Sequence, residues 1–200
     1  MLVTGLGLRT KGIKDADYLN RRNSTTHVIP AERKKQDNIA EYLIHMYQTE
    51  DLIRAFEFDL NKITEYVIKH VPQEVERKEL ILFYAEIIIK MRDENIQQTG
   101  HLQSTQKIVS ELLTLKNELQ TTDQKFIKIW RASEGIIHKY AEQSGANEIQ
   151  VCLNGIYGLL LLRLNGNPVS EEIKQHAELY GDILSYLSYK YKQKHFTNPN

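Results

Sequence analysis

After Pro30, apolar residues recur every three or four positions along almost the whole chain, and the strict alternation of a half-buried strand is absent. The spacing predicts helices and nothing else. A first helix, about 32–58, carries Ile39, Tyr42, Leu43, Met46 and Ile53 on one stripe. A short second, about 60–71, carries Ile63, Val67 and Val71. A third runs from Pro72 to about 97 with Leu80, Phe83, Tyr84, Ile87, Ile88 and Met91. Gly100 separates it from a fourth, about 101–120, with Ile108, Leu112, Leu115 and Leu119. A fifth opens near Thr122, a candidate cap, and carries Phe126, Ile129, Trp130, Ile137 and Tyr140. The sixth, about 146–164, is apolar nearly all round, the pattern of the central helix in a bundle. The seventh follows a Ser170 cap and runs to about 194, with Ile173, Ala177, Tyr180, Ile183, Leu184, Leu187 and Tyr191. The fold class is all-α: an antiparallel bundle of six or seven helices over 32–195, in one domain.

Residues 1–31 break this pattern. They show little helical periodicity and read either as a mostly irregular leader or as a mis-assigned start, with translation beginning near Val28. The opening apolar run, MLVTGLGL, is short and is followed by a charged stretch, which is not the arrangement of an export signal. The later run GIYGLLLL ends at Arg163, well short of the ~20 residues a membrane span needs. A cytoplasmic protein without membrane contact is the expectation.

Twenty-six basic residues balance twenty-six acidic ones, so the chain has no global field to steer it onto nucleic acid. Cys152 stands alone, which excludes an internal disulfide and a cysteine-rich zinc site, and its apolar setting points to a small buried hydrophobe.

Candidate chemistry concentrates at a few charges. On a helical wheel of ~100° per residue, Glu50 and Glu57 fall among the buried positions of the first helix, with Arg54 at the edge. An unpaired charge there would cost several kcal/mol, so Glu50 needs a cation. Arg54, one turn on, and Arg163, the lone charge in LLLLRL, are the candidates. One reading is a Glu50–Arg54–Arg163 network that fixes packing register. The other is an anion or ligand pocket lined by Glu50, Arg54, His101 and Arg163. His101 follows Gly100 at a helix start, where a structurally bonded histidine is the simpler reading.

The pairs Glu41/His45, Glu134/His138 and Glu172/His176 lie four apart on helix faces. They lack the Glu-x-x-His and His-Glu-x-x-His patterns of helical metal sites, so they read as solvated pairs, and no metal or cofactor is expected. GLGLRTKG misses the dinucleotide and phosphate-loop spacings, and no serine sits in a nucleophile elbow. Eleven tyrosines are the compositional oddity. Tyr180, Tyr186, Tyr189 and Tyr191 crowd the last helix with Lys190, Lys192 and Lys194. Aromatics interleaved with lysines suit either a protein interface or nucleic acid, and the balanced charge favours the interface.

NIAEYLIHMYQTEDLIRAF (38–56), GHL (100–102) and CLNGIYGLLLLRL (152–164) resemble an uncharacterised all-helical family from Bacteroidetes, a domain of unknown function. The resemblance covers about 33–190, leaves the leader outside, and implies a bacterial cytoplasmic helical bundle with no assigned activity. The leading expectation is a non-enzymatic protein that works through contacts with an unknown protein partner or with itself, as a homodimer. The alternatives are a small-ligand-binding or metal-dependent enzyme with an interior polar pocket, and a weak nucleic-acid binder acting through the basic ends.

Overall fold

Helix accounts for nearly every described residue of the structure, a computed structural model that describes residues 31–197. The leader therefore lies outside the described residues. Eight α-helices follow one another: α1 (Ala31–Asp37), α2 (Ile39–Ala55), α3 (Leu60–Tyr66), α4 (Glu74–Asp93), α5 (Gln103–Thr122), α6 (Gln124–Ser144), α7 (Glu148–Leu164) and α8 (Glu171–Lys192). A single 3-10 turn, Ile68–His70, follows α3, and a π turn, Gln193–Thr197, closes the described chain. The all-α bundle expected from periodicity is the fold found, with no strand among the described residues.

The breaks between helices follow local chemistry. Asn38 divides the expected first helix in two: its side-chain oxygen accepts from the Ala40 and Glu41 amides and starts α2. Asp123, rather than Thr122, caps α6, accepting from Lys125 and Phe126. Thr122 instead ends α5, its hydroxyl turned back to the Glu118 carbonyl at 2.8 Å. Asp59 caps α3 in the same way, and Ser170 caps α8 as its position suggests. α2 stops at a left-handed pair, Glu57 and Phe58, where the Phe58 amide reaches back to the Ile53 carbonyl at 2.9 Å. Glu57 therefore leaves the buried stripe on which the wheel put it and pairs at the surface with Lys62, at 3.0 Å.

The span 32–195, expected as one domain, divides into two compact units, with the boundary inside α2 and α5. The larger unit holds 31–44 and 107–197. Its core is built by α6, α7 and α8, which pack on one another, with Phe126, Trp130, Ile137, Ile149, Cys152, Leu153, Ile183 and Leu187 buried. Each such side chain contributes about 1.5–3 kcal/mol through apolar burial. The start of α2 is tied to α8 by a bond from the Ala40 amide to the Ser188 hydroxyl, 3.2 Å. The smaller unit holds 45–106. α3, the 3-10 turn and α4 pack together there, burying Ile63, Ile68, Tyr84, Ile87, Ile88 and Met91.

α7 corrects one expectation. Ile149, Val151, Cys152 and Leu153 are buried, but 156–162 are all only half-buried. The helix is central for its first half alone. Its most extensive packing is against α6 and α8, and this covers the first half of the helix more fully than the second.

Candidate functional site

The smaller unit carries a fully buried carboxylate. Glu50 sits on the core face of α2, where the stripe of Met46 and Ile53 places it, and is fully buried. Its carboxylate is nevertheless satisfied. One oxygen accepts from the Leu102 amide at 3.1 Å, and the other meets His101 Nδ1 at 2.6 Å. The imidazole lies flat on the Tyr47 ring, centroids 3.6 Å apart and planes 17° from parallel. His101 is 26% exposed along its side chain, and Nε2 makes no hydrogen bond among the described residues.

Arg54 does not pair with Glu50. It lies one turn further along α2 and turns to the opposite wall of the same connection. It pairs with Asp51 at 2.9 Å and donates to the carbonyls of Ile96 (3.0 Å) and Gly100 (2.5 Å). Gly100, at φ +94°, holds a left-handed conformation that L side chains rarely adopt. Arg54 Nε is buried without a partner. Together Glu50 and Arg54 hold the 94–102 connection: the carboxylate takes the Leu102 amide at the opening of α5, and the guanidinium takes the Ile96 and Gly100 carbonyls within the connection. The structure brings Glu50 to His101; Arg163 is exposed and belongs to the larger unit.

Two of the four tyrosines of α8 turn inward. Tyr180 and Tyr191 are buried, and Tyr191 donates to Glu111 at 2.9 Å. Burial pushes the Tyr180 hydroxyl up to about 12, and burial with the Glu111 bond raises Tyr191 further. Tyr186 donates to both oxygens of Asp123, at 3.0 and 2.9 Å, leaving Tyr189 as the exposed one of the four. Of the four tyrosines expected at an interface, Tyr180 and Tyr191 lie in the core, Tyr186 is half-buried on the α6 cap, and Tyr189 is exposed. The lysines between and after them make ion pairs within the larger unit: Lys190 with Asp123 (2.8 Å), Lys192 with Asp37 (3.1 Å), Lys194 with Glu118 (3.3 Å). The Lys190 bond is the chief reason the Asp123 carboxyl is held far below the usual carboxylate range, and the same bond raises the Lys190 ammonium.

The histidine pairs also find other partners. His138 reaches Glu148 at 3.0 Å, beside Lys116, which bonds the same carboxylate at 2.5 Å and lies 4.2 Å over the Trp130 ring. His45 stacks on Phe83, and His176 lies edge-on to Tyr140. Among the described residues no three His, Cys, Asp or Glu side chains are grouped so as to hold a metal. Burial pushes the Cys152 thiol up to about 12, with the Glu148 charge adding to it, so at neutral pH this thiol carries almost no thiolate.

One feature escaped the sequence reading. On α4, Val75, Leu82 and Ile89 are 66%, 71% and 57% exposed, on the side away from the buried Tyr84, Ile87 and Met91. The signal was present as a spacing of seven. It lay opposite a stronger stripe that already accounted for the helix.

The sequence profile of one family, a domain of unknown function named DUF4924, matches residues 28–198. The chain belongs to the DUF4924 family. The match takes in every described residue, including both ends of the Glu50–His101 bond. No curated protein and no solved structure matches the chain. The DUF4924 description assigns no activity, and no helix among the described residues is long and apolar enough to cross a membrane.

Proposed function

We propose that this protein is non-enzymatic and works through protein contacts, associating with itself, in a bacterial cytoplasm. The observation that carries the reading is the exposed line of Val75, Leu82 and Ile89 on α4. In a bundle helix, the side opposite the core is expected to be polar. Three large apolar residues at one spacing there, over ~21 Å of helix, form a surface that gains by being covered. The half-open run of α7 adds apolar area of the same kind.

The rival is a ligand site at Glu50–His101. A buried carboxylate on Nδ1 with Nε2 unengaged is the arrangement that orients a histidine as a base. Against it, the same carboxylate serves the Leu102 amide, and Arg54 is committed to backbone carbonyls. Both charges already have structural work. Nucleic-acid binding through α8 has no net basic field behind it, since acidic and basic residues balance over the chain.

Native mass spectrometry of the protein as purified from cells separates these readings. The expected spectrum shows dimer with no added mass. A monomer carrying a reproducible extra mass would overturn the contact reading in favour of the ligand site.

A further inference from the structure

The line on α4 has edges of opposite sign. Its sequence repeats three times at intervals of seven: Val75–Lys78–Glu79, Leu82–Ala85–Glu86, Ile89–Arg92–Asp93. At ~100° per residue, Lys78, Ala85 and Arg92 flank the apolar line on one side, and Glu79, Glu86 and Asp93 flank it on the other. Apart from half-buried Ala85, all of these positions are exposed. Their existing ties, Lys78 to Glu74 at 2.8 Å, Lys90 to Glu86 at 2.5 Å and Arg92 to the Phe58 carbonyl at 3.5 Å, are exposed. Such pairs are worth a few tenths of a kcal/mol and exchange readily.

From this arrangement we infer that α4 pairs with α4 of a second copy, parallel and in register, about a two-fold axis along the helices. The inference rests on the contact reading and specifies its partner. Charge decides the direction. A two-fold axis parallel to the helices sets the basic edge of each copy against the acidic edge of the other, so Lys78 faces the partner's Glu79 and Arg92 faces the partner's Asp93. An antiparallel pair sets acidic edge against acidic edge, which costs rather than gains. The seven-residue spacing drifts by ~20° per repeat on a straight helix, and a shallow left-handed supercoil absorbs that drift. Three apolar residues per copy make a small seam, so the association is weak and concentration-dependent.

The test is disulfide trapping of the full chain. Val75→Cys and Ile89→Cys are made separately at exposed positions, where the fold tolerates substitution, and the poorly ionised Cys152 does not compete. Under mild oxidation, each variant alone is expected to trap as a covalent dimer, because parallel pairing sets each position against itself. Trapping only when the two variants are mixed would show antiparallel pairing and overturn the inference. A dimer by light scattering with no trapping at either position would remove α4 as the seam while leaving self-association intact. A monomer at every concentration would overturn both.

Discussion

Glu50 shows what one buried charge does when it has been given partners. Removing its carboxylate leaves the Leu102 amide and His101 Nδ1 without their acceptor inside the smaller unit. Glu50→Ala is therefore expected to cost about 3 kcal/mol. For a chain of this size that lowers the Tm by roughly 6–12 °C, while Glu50→Gln, which keeps an acceptor for the amide, loses less. A ligand site would behave oppositely, with little stability lost on removing its charge, and thermal melts of the two variants distinguish the cases. Asp123 gives a pH-dependent counterpart. Its folded carboxyl titrates below the ordinary value of 3.8, held down by Lys190 and the Phe126 amide. Its contribution is thus fully present above that ordinary value and is lost as pH falls through the depressed one. Asp123→Asn should lower the Tm at neutral pH, with the gap to wild type narrowing below about pH 4; a gap that stays constant on acidification would rule this linkage out. The need to satisfy Glu50 was legible from the wheel. Its partner was not, because His101 is 51 positions away and nothing in local spacing reports a bond that long-range packing makes.

At the scale of elements, the apolar stripes located the helices, while the ends followed individual side chains. Asn38 and Asp123 each moved a boundary by competing for backbone amides, a choice that periodicity does not record. The packing of α7 on α8 turns on Gly155. A Cβ there would lie 2.4 Å from the buried Tyr180 ring, whereas at Gly158, one turn later, it would meet nothing within 4 Å. Alanine gains about 1 kcal/mol over glycine in a helix, but overpacking a closed contact costs about 1–3 kcal/mol. Gly158→Ala is accordingly expected to raise the Tm and Gly155→Ala to lower it. A rise in both would show that Tyr180 can move aside. Which of the two glycines admits a neighbour depends on where the Tyr180 ring lands, which spacing does not record. The same limit hid the second face of α4, since one stripe suffices to predict a helix and a second, opposite one reads as incidental.

For the molecule as a whole, the helical class and the absence of strands among the described residues followed from spacing alone. The division into two units did not, because a boundary inside continuous helices leaves no proline, glycine or charge run to mark it. The surface also had to be seen. Tyr191 and Tyr186 are tied to Glu111 and Asp123 while Tyr189 stays exposed, and the exposed line at one spacing is on α4. The most direct test is sedimentation velocity over a dilution series, with wild type and Leu82→Glu run side by side. Leu82 is 71% exposed, so the variant should keep the helical content of the wild type and change its stability by no more than about 0.5 kcal/mol. The wild type is expected to shift toward dimer as concentration rises, and Leu82→Glu to stay monomeric throughout. A wild type that sediments as monomer at every concentration, or a variant that associates as well as wild type, would contradict the role assigned to α4.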